Sequence, residues 1–360
     1  MGRTVDEFKT KHDPQTIITR LEGELREAQK ESADARTLKE TIGTLGQKLH
    51  ETVPPKWTVA ASDKPSAPGV PTLFLSDLHW GEVVHPGQIG GVNRYSLTIA
   101  RERLRYTVET AIALLRILDS EMRYPGIVVP LGGDMVSGDI HDELKETNEL
   151  PTMPTLVDLF EHLVSAINVL ADTFGAVFLP CVTGNHGRNT RKIYAKNRQH
   201  TSFDWLLYQF LARHFREDKR ITFYVPDGPD AYFRVFSTRY LLTHGDMLGH
   251  GGDGLIGFLG PVIRGDHKKR ARNAQIGSDY DTLLAGHWHQ YTHMTRVIVN
   301  GSLKGYDEYA FTESFAFEVP QQALWVTHDR NGPTYRMPVY CEPQKRGPKV
   351  EWVSAPRVAT

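Results

Sequence analysis

Thr72-Leu73-Phe74-Leu75-Ser76-Asp77-Leu78-His79-Trp80-Gly81 is a short apolar run that ends in a carboxylate and an imidazole two residues apart. The run predicts a strand over residues 72–76. Alternate residues of an extended segment point the same way, so Asp77 and His79 are set to grip one cation. Four further fragments repeat the design. Leu131-Gly132-Gly133-Asp134 closes a strand predicted at 127–131, with glycines that let another backbone approach beneath the carboxylate. Thr183-Gly184-Asn185-His186-Gly187-Arg188 follows a strand at 177–181, Leu242-Thr243-His244-Gly245-Asp246 ends one at 240–243, and Ala285-Gly286-His287-Trp288-His289 ends one at 282–285. A lone buried histidine or strand-terminal aspartate is more often a structural hydrogen-bonding residue than a ligand. Five such fragments, each at a strand end where loops converge, point to a metal site.

Around them, amphipathic helices are predicted at 97–122, 156–174 and 202–215. After residue 220 strands dominate, at 221–225, 232–236, 240–243, 282–285, 296–299, 315–319 and 323–327. The pattern reads as α/β, with two packed sheets covered by helices rather than one doubly wound sheet. At 40% hydrophobic and 24% charged, the 360 residues have the composition of a globular chain, which excludes disorder throughout. Lys+Arg 42 against Asp+Glu 43 leaves a net charge of −1, so nucleic-acid binding would need a local basic patch. Cys181 and Cys341 are too few for a disulfide framework or a thiolate zinc site. Met1 to Glu7 run into charge rather than an apolar signal core, and apolar runs such as 112–118 stop well short of the roughly 20 residues of a membrane helix. The expectation is a cytoplasmic protein with no membrane partner.

Between residues 13 and 51, Ile18, Leu21, Leu25 and Ala28 set a three-four spacing that Leu38, Ile42, Leu45 and Leu49 resume after a slip. This predicts a helix with a narrow apolar seam, which either docks on the chain's own body or pairs with a second copy as a short coiled coil, giving a homodimer. Five prolines within residues 52–71 read as a linker. The catalytic domain is then expected over 72–328, with a tail over 329–360 that carries a last strand at 335–340.

The fragments D-x-H, G-D, G-N-H, H and G-H-x-H, in that order over about 72–327, resemble the motifs of the calcineurin-like metallophosphoesterases. The resemblance implies a four-layer αββα sandwich, the metallo-dependent phosphatase fold, with two divalent metal ions at the sheet edges. It assigns Asp77, His79 and His289 to the first metal, Asn185, His244 and His287 to the second, and Asp134 as the bridge. Imidazole and amide donors suit manganese, the expected metal, or iron, nickel or zinc better than magnesium or calcium. Two such ions roughly 3.5–4 Å apart share a hydroxide nucleophile and bind the phosphoryl oxygens that gain charge.

His186 matches the family's non-ligand histidine and is the candidate general acid, the alternative being that it only props its loop. Many relatives carry Asp or Glu after this histidine. Here Gly187 follows, so a carboxylate orienting His186 comes from elsewhere, Asp139 or Asp142 being the candidates, or is absent. Arg188 is a candidate phosphate clamp through its planar fork, or else a solvated loop residue, and His141 is a candidate substrate contact. Asp246 and His250 lie in a glycine-rich stretch over 244–254 that lacks the Gly-Lys-Ser/Thr ending of a P-loop and reads as a loop bordering the metals.

Val136-Ser137-Gly138 and Gly187 depart from the protein Ser/Thr phosphatase branch, whereas the Ser76–Gly81 opening is more similar to the DNA repair exonuclease branch. Residues 264–272 concentrate five Lys/Arg, either a patch for a nucleic-acid backbone or a solvated face. Trp80, Trp288 and Tyr291 either stack on bases or pack the core. Together these favour a phosphodiesterase or nuclease acting on nucleic acid. The alternatives are a phosphomonoesterase or small-nucleotide phosphodiesterase, and a non-catalytic scaffold, against which retention of all seven ligands argues.

Overall fold

The computed structural model describes residues 68–249 and 257–343. The N-terminal helix expected over 13–51, nearly all of the linker, His250 with the glycines that follow it, and the end of the tail lie outside the described residues. In chain order the strands are β1 (Val70–Phe74), β2 (Ile127–Val128), β3 (Val177–Pro180), β4 (Ile221–Tyr224), β5 (Asp230–Val235), β6 (Thr238–Thr243), β7 (Thr282–Ala285), β8 (Thr292–His293), β9 (Val297–Val299), β10 (Gln321–His328) and β11 (Gly332–Tyr340). The helices are α1 (Leu97–Leu118), α2 (Asp142–Thr147), α3 (Thr152–Phe174), α4 (Phe203–His214), α5 (Leu259–Gln275) and α6 (Glu308–Thr312).

One sheet has the order β11-β10-β1-β2-β3-β4, the other β5-β6-β7-β9-β8. Strands β1 to β4 are mutually parallel, as are β6, β7 and β9. Every residue of β1 and β3 is buried, as strands covered on both faces require. Between the sheets, Val70, Phe74, Val128 and Phe178 of the first meet Phe233, Leu242, Leu284 and Ile298 of the second, with Trp325 of β10 and Tyr240 of β6 in the same core. Removing these side chains from water contributes roughly 1.5–3 kcal/mol each.

Helices α1, α3 and α4 cover the outer face of the first sheet. Ser96 caps α1, its hydroxyl accepting from the Ile99 N–H, and α3 buries Leu156, Leu159, Leu163, Ile167 and Leu170 at three-four spacing before Gly175 ends it in the left-handed region. By length and composition α3 is apolar enough to cross a membrane; here that apolar stripe packs on β3 and the neighbouring helices. Helix α5 covers the outer face of the second sheet, where its Val262 joins Leu241, Leu283, Val297 and Val299. The result is the four-layer αββα sandwich.

Three expectations need correction. Residues 315–319 form no strand: Phe315 and Phe317 are half exposed on a loop after α6. The sheet starts at Val70 and continues through β11, which pairs along β10 to Tyr340, so part of the expected tail is an edge strand. The basic stretch 264–272 is the body of helix α5.

Candidate metal centre

Because β1, β2 and β3 are parallel in one sheet and β6 and β7 in the other, their carboxyl ends open on common edges, where such folds place their sites. The loops are laced together there. Asp77 N–H donates to the Gly133 carbonyl at 3.0 Å and His79 N–H to the Asp134 carbonyl at 3.0 Å. His186 N–H donates to Asp134 Oδ1 at 2.7 Å, and His287 N–H to Asp77 Oδ1 at 2.9 Å. Asp77, His79, Asp134, His287 and His289 all have φ between 46° and 70°, so five of the seven expected ligands sit in the left-handed region that non-glycine residues avoid. Strain of that kind persists where surrounding contacts enforce it, and it concentrates at functional sites.

The donors form three overlapping groups. Asp77, His79 and His289 present ligand atoms within 4.8 Å of one another, and so do Asp134, His244 and His287; His79, Asp134 and His186 form a third such group that links these two sets. Asn185 joins the second set, its Oδ1 lying 3.1 Å from His244 Nε2. Within the sets, His79 Nε2 lies 3.0 Å from His289 Nε2, His289 Nε2 3.4 Å from Asp77 Oδ1, and His244 Nε2 3.0 Å from Asp134 Oδ2. Two nitrogen or oxygen donors sharing one first-row ion at about 2.1 Å are themselves about 3.0–3.4 Å apart, so the spacing suits a metal.

Charge points the same way. Asp77 and Asp134 are fully buried, and among the described residues their cationic partners are imidazoles rather than Lys or Arg. Burial opposes ionisation of Asp134, but His244 and His186 outweigh it and hold the carboxyl well below its usual range. Burial likewise disfavours a charged His244, yet Asp134 lifts it to about 10. Burial, reinforced by the charge of Lys304, lowers His79 to about 4, and burial with His244 lowers His287 to about 4, so both rings are neutral at pH 7, the form in which an imidazole can bind a metal. His244 Nδ1 donates to the Gly132 carbonyl at 2.8 Å, which leaves Nε2 to face Asp134 and Asn185.

The four-layer sandwich and the clustered donors have the form that the motif resemblance to the calcineurin-like metallophosphoesterases implies. No protein-family model matches the chain, and no curated protein matches it. Solved structures do align with it. A predicted phosphoesterase from Streptococcus pneumoniae is 13% identical, with 72% of this chain and 84% of that one covered, at a TM-score of 0.26. The sulfate thiohydrolase SoxB of Thermus thermophilus, solved with glycerol, is 10% identical over 78% of this chain and 58% of that one, at 0.31. A dimetal phosphatase from Danio rerio is 10% identical over 77% of this chain and 100% of that one, at 0.32.

His186 stands beside both sets, its ring 4.5 Å from that of His79. Its Nδ1 donates to the Ser137 carbonyl at 3.0 Å, so that backbone oxygen, rather than Asp139 or Asp142, orients the imidazole. Burial lowers its pKa, against the pull of Asp134 and Glu82. His141 is exposed at the start of α2, its ring 6.1 Å from His186, so the structure brings it to the rim. Arg188 is less free to clamp a phosphate: Nη1 donates to the Asn185 carbonyl at 2.7 Å and Nε to the Thr190 carbonyl at 3.1 Å, holding the ligand loop in shape.

Two expected nucleic-acid features lie elsewhere. On α5, Lys269 and Arg272 pair with Asp230 at 2.7 and 3.0 Å, and Arg270 pairs with Asp266 at 2.8 Å and lies over the Tyr280 ring. Those cations are spent on holding the helix to its sheet. Trp80 is fully buried and donates to Asp158, Tyr291 packs on the inter-sheet core, and half-buried Trp288 lies against Phe258, so the three aromatics serve packing.

Sequence reasoning missed two supporting carboxylates. Asp204, fully buried in the first turn of α4, accepts from the N–H groups of Asp134 (3.0 Å), Gly184 (2.9 Å) and Met135 (3.2 Å). It binds the second and third motif loops into one unit, and a Cβ on Gly187 would lie 2.7 Å from its Oδ1. Glycine after His186 therefore makes room for a carboxylate that arrives from α4. Burial and the Asp134 charge raise Asp204 to about 6. Glu82 is buried too, with Oε2 3.3 Å from His79 Nδ1 and 3.2 Å from the Ser137 hydroxyl, and Oε1 2.9 Å from Lys304 Nζ. Lys304 also pairs with Asp307, so a buried ion cluster stands behind His79.

Proposed function

We propose that the chain is a metal-dependent phosphoester hydrolase whose preferred substrate is a nucleic-acid phosphodiester. The observation that carries the hydrolase reading is the two donor sets linked through the group of His79, Asp134 and His186. The nitrogen, carboxylate and amide donors suit two first-row ions, with manganese as the favoured metal. When bound, the ions supply a nucleophile at neutral pH and positive charge for the phosphoryl oxygens.

The chain's own residues do the rest. Asp134 holds the two halves at a fixed separation, its carboxylate steadied by the His186 N–H and its backbone by Asp204. The Ser137 carbonyl accepts a hydrogen bond from His186 Nδ1–H, which leaves Nε2 facing the donors; in the imidazolium form Nε2–H would give its proton to the leaving oxygen, leaving the neutral ring. Glu82 keeps the Nδ1 face of His79 occupied, so its Nε2 points at the ligand set.

The nucleic-acid reading is supported by the chain's departures from the protein phosphatase motifs at Val136-Ser137-Gly138 and Gly187, and by the similarity of Ser76–Gly81 to the opening motif of the DNA repair exonuclease branch. The test is hydrolysis of bis-p-nitrophenyl phosphate, p-nitrophenyl phosphate and end-labelled single-stranded DNA, with Mn²⁺ and with chelator. Metal-dependent cleavage of the diester and of DNA is expected, with His186→Ala losing a factor of roughly 10²–10⁴ in kcat while binding metal normally. Cleavage of the monoester alone would move the chain to the phosphomonoesterase reading.

A further inference from the structure

Immediately after the ligand Asn185, the chain runs through Arg188, Arg191, Lys192, Lys196 and Arg198, and meets no acidic residue until Asp204. The segment leaves the site and returns to it. Its neck is pinned where Asn189 N–H donates to the Thr201 carbonyl at 2.8 Å and Phe203 N–H to the Gly187 carbonyl at 2.6 Å. Its two outer arginines face inward. Arg188 grips the Asn185 carbonyl, and Arg198, nearly buried, lies 2.8 Å from Asp246, two residues beyond the ligand His244. Both anchors thus tie the segment to the loops that carry Asn185 and His244.

The middle of the segment is different. Arg191, Lys192 and Lys196 are exposed, and among the described residues none forms an ion pair with them. Beside them Ile193 and Tyr194 expose 45% and 51% of their surface. By contrast, Lys269, Arg270 and Arg272 of α5 are paired with Asp230 and Asp266. Three uncompensated cations and an exposed aromatic ring, held on a pinned loop at the edge of a phosphoester centre, match a strand of alternating phosphates and unpaired bases.

We infer that residues 189–197 bind the single-stranded nucleic acid flanking the scissile phosphate, with Arg191, Lys192 and Lys196 contacting phosphates and Tyr194 stacking on a base. The inference rests on the hydrolase reading and deepens it, because it assigns substrate choice to this loop rather than to the metal ligands. A substrate without flanking nucleotides gains nothing from the loop.

The test compares the full-length chain with the triple variant Arg191→Ala/Lys192→Ala/Lys196→Ala and with Tyr194→Ala. Mn²⁺-dependent hydrolysis of bis-p-nitrophenyl phosphate and of a short oligothymidylate is measured over a range of salt. Each lost phosphate contact to a single strand removes about 0.7 from the slope of log affinity against log salt, so the triple variant should flatten the slope by about 2. Its KM for the oligonucleotide should rise at least about tenfold at low salt, with bis-p-nitrophenyl phosphate turnover unchanged. Tyr194→Ala should raise the oligonucleotide KM roughly tenfold without changing the slope. Oligonucleotide cleavage with unaltered KM and slope in the triple variant would overturn the loop assignment and leave the nuclease reading standing. A wild-type chain that hydrolyses bis-p-nitrophenyl phosphate but ignores the oligonucleotide at every salt would overturn both.

Discussion

Replacing Asp204 with Asn changes one oxygen into an NH₂ group at the point where two ligand loops are held together. In the fold, Oδ2 accepts from the Asp134 and Gly184 N–H groups and Oδ1 from that of Met135. The amide oxygen can take the Oδ2 place and keep the first two bonds. Its NH₂ group then faces the Met135 N–H, donor against donor, in a fully buried position. One lost bond to a charged acceptor plus one stranded donor costs about 2 kcal/mol, and roughly 4–8 °C in melting temperature for a domain of this size. Asp204→Ala strands all three donors and should cost more, about 5 kcal/mol. Because the loops so loosened carry Asp134 and Asn185, Mn²⁺ affinity should fall about 10–100-fold in Asp204→Asn, as it does when a partner behind a metal ligand is lost. Calorimetric melting of the metal-free protein and Mn²⁺ titration measure the two effects separately. An Asp204→Asn protein with wild-type melting temperature and wild-type Mn²⁺ affinity would refute the view that this carboxylate positions the centre.

Glu82→Gln keeps the shape but removes the charge facing His79 Nδ1 and Lys304, so Mn²⁺ affinity should drop about tenfold and the protein should lose stability, both readable in the same titration and melting experiment. The metal-free protein should be acid-sensitive, because burial lowers His79 and His287 to about 4 and His293 to about 3. With unfolded values near 6.5, their stabilisation is complete above that pH and is lost as pH falls towards 4, by roughly 2 kcal/mol each at pH 5. His244, raised to about 10, has the opposite sign: its contribution is full well below 6.5 and is lost as pH rises towards 10, so between pH 7 and pH 5 it offsets only roughly 1 kcal/mol of the acid loss. The urea midpoint in chelator should therefore fall between pH 7 and pH 5, and His293→Phe, at a non-ligand position beside Trp325, should lessen the drop. An unchanged midpoint would count against neutral buried imidazoles.

The clustering of the candidate ligands was legible because each follows a strand in a short, polar, glycine-marked loop, and parallel strands carry such loops to one edge. Glu82, Asp204 and Lys304 were not, since nothing in spacing tells that a carboxylate at the start of α4 reaches the loop of Asp134, or that Lys304 meets a residue 222 positions earlier. Gly187 carried a signal in retrospect: a missing side chain after His186 marks the place another group fills. The segment at 315–319 misled because Phe315 and Phe317 alternate like a strand, but no sheet edge receives it and both rings face solvent. Helix α5 was hidden by Gly260, Pro261 and Gly265 near its start. The structure explains Gly265, where a Cβ would lie 2.4 Å from the Leu248 carbonyl oxygen, so the helix needs a glycine to sit close to the segment after His244. The basic residues of α5 looked available in the sequence because their partners, Asp230 among them, come from a different strand.

The central claim is that seven side chains hold two metal ions that share Asp134. The most direct test is the number of Mn²⁺ ions bound per chain, by titration calorimetry and elemental analysis, in the wild type and in Asp134→Ala. The account predicts two in the wild type and neither held tightly in the variant, with phosphodiester hydrolysis lost along with them. A wild-type chain that binds fewer than two ions, or an Asp134→Ala chain that still holds two and turns over, would contradict it.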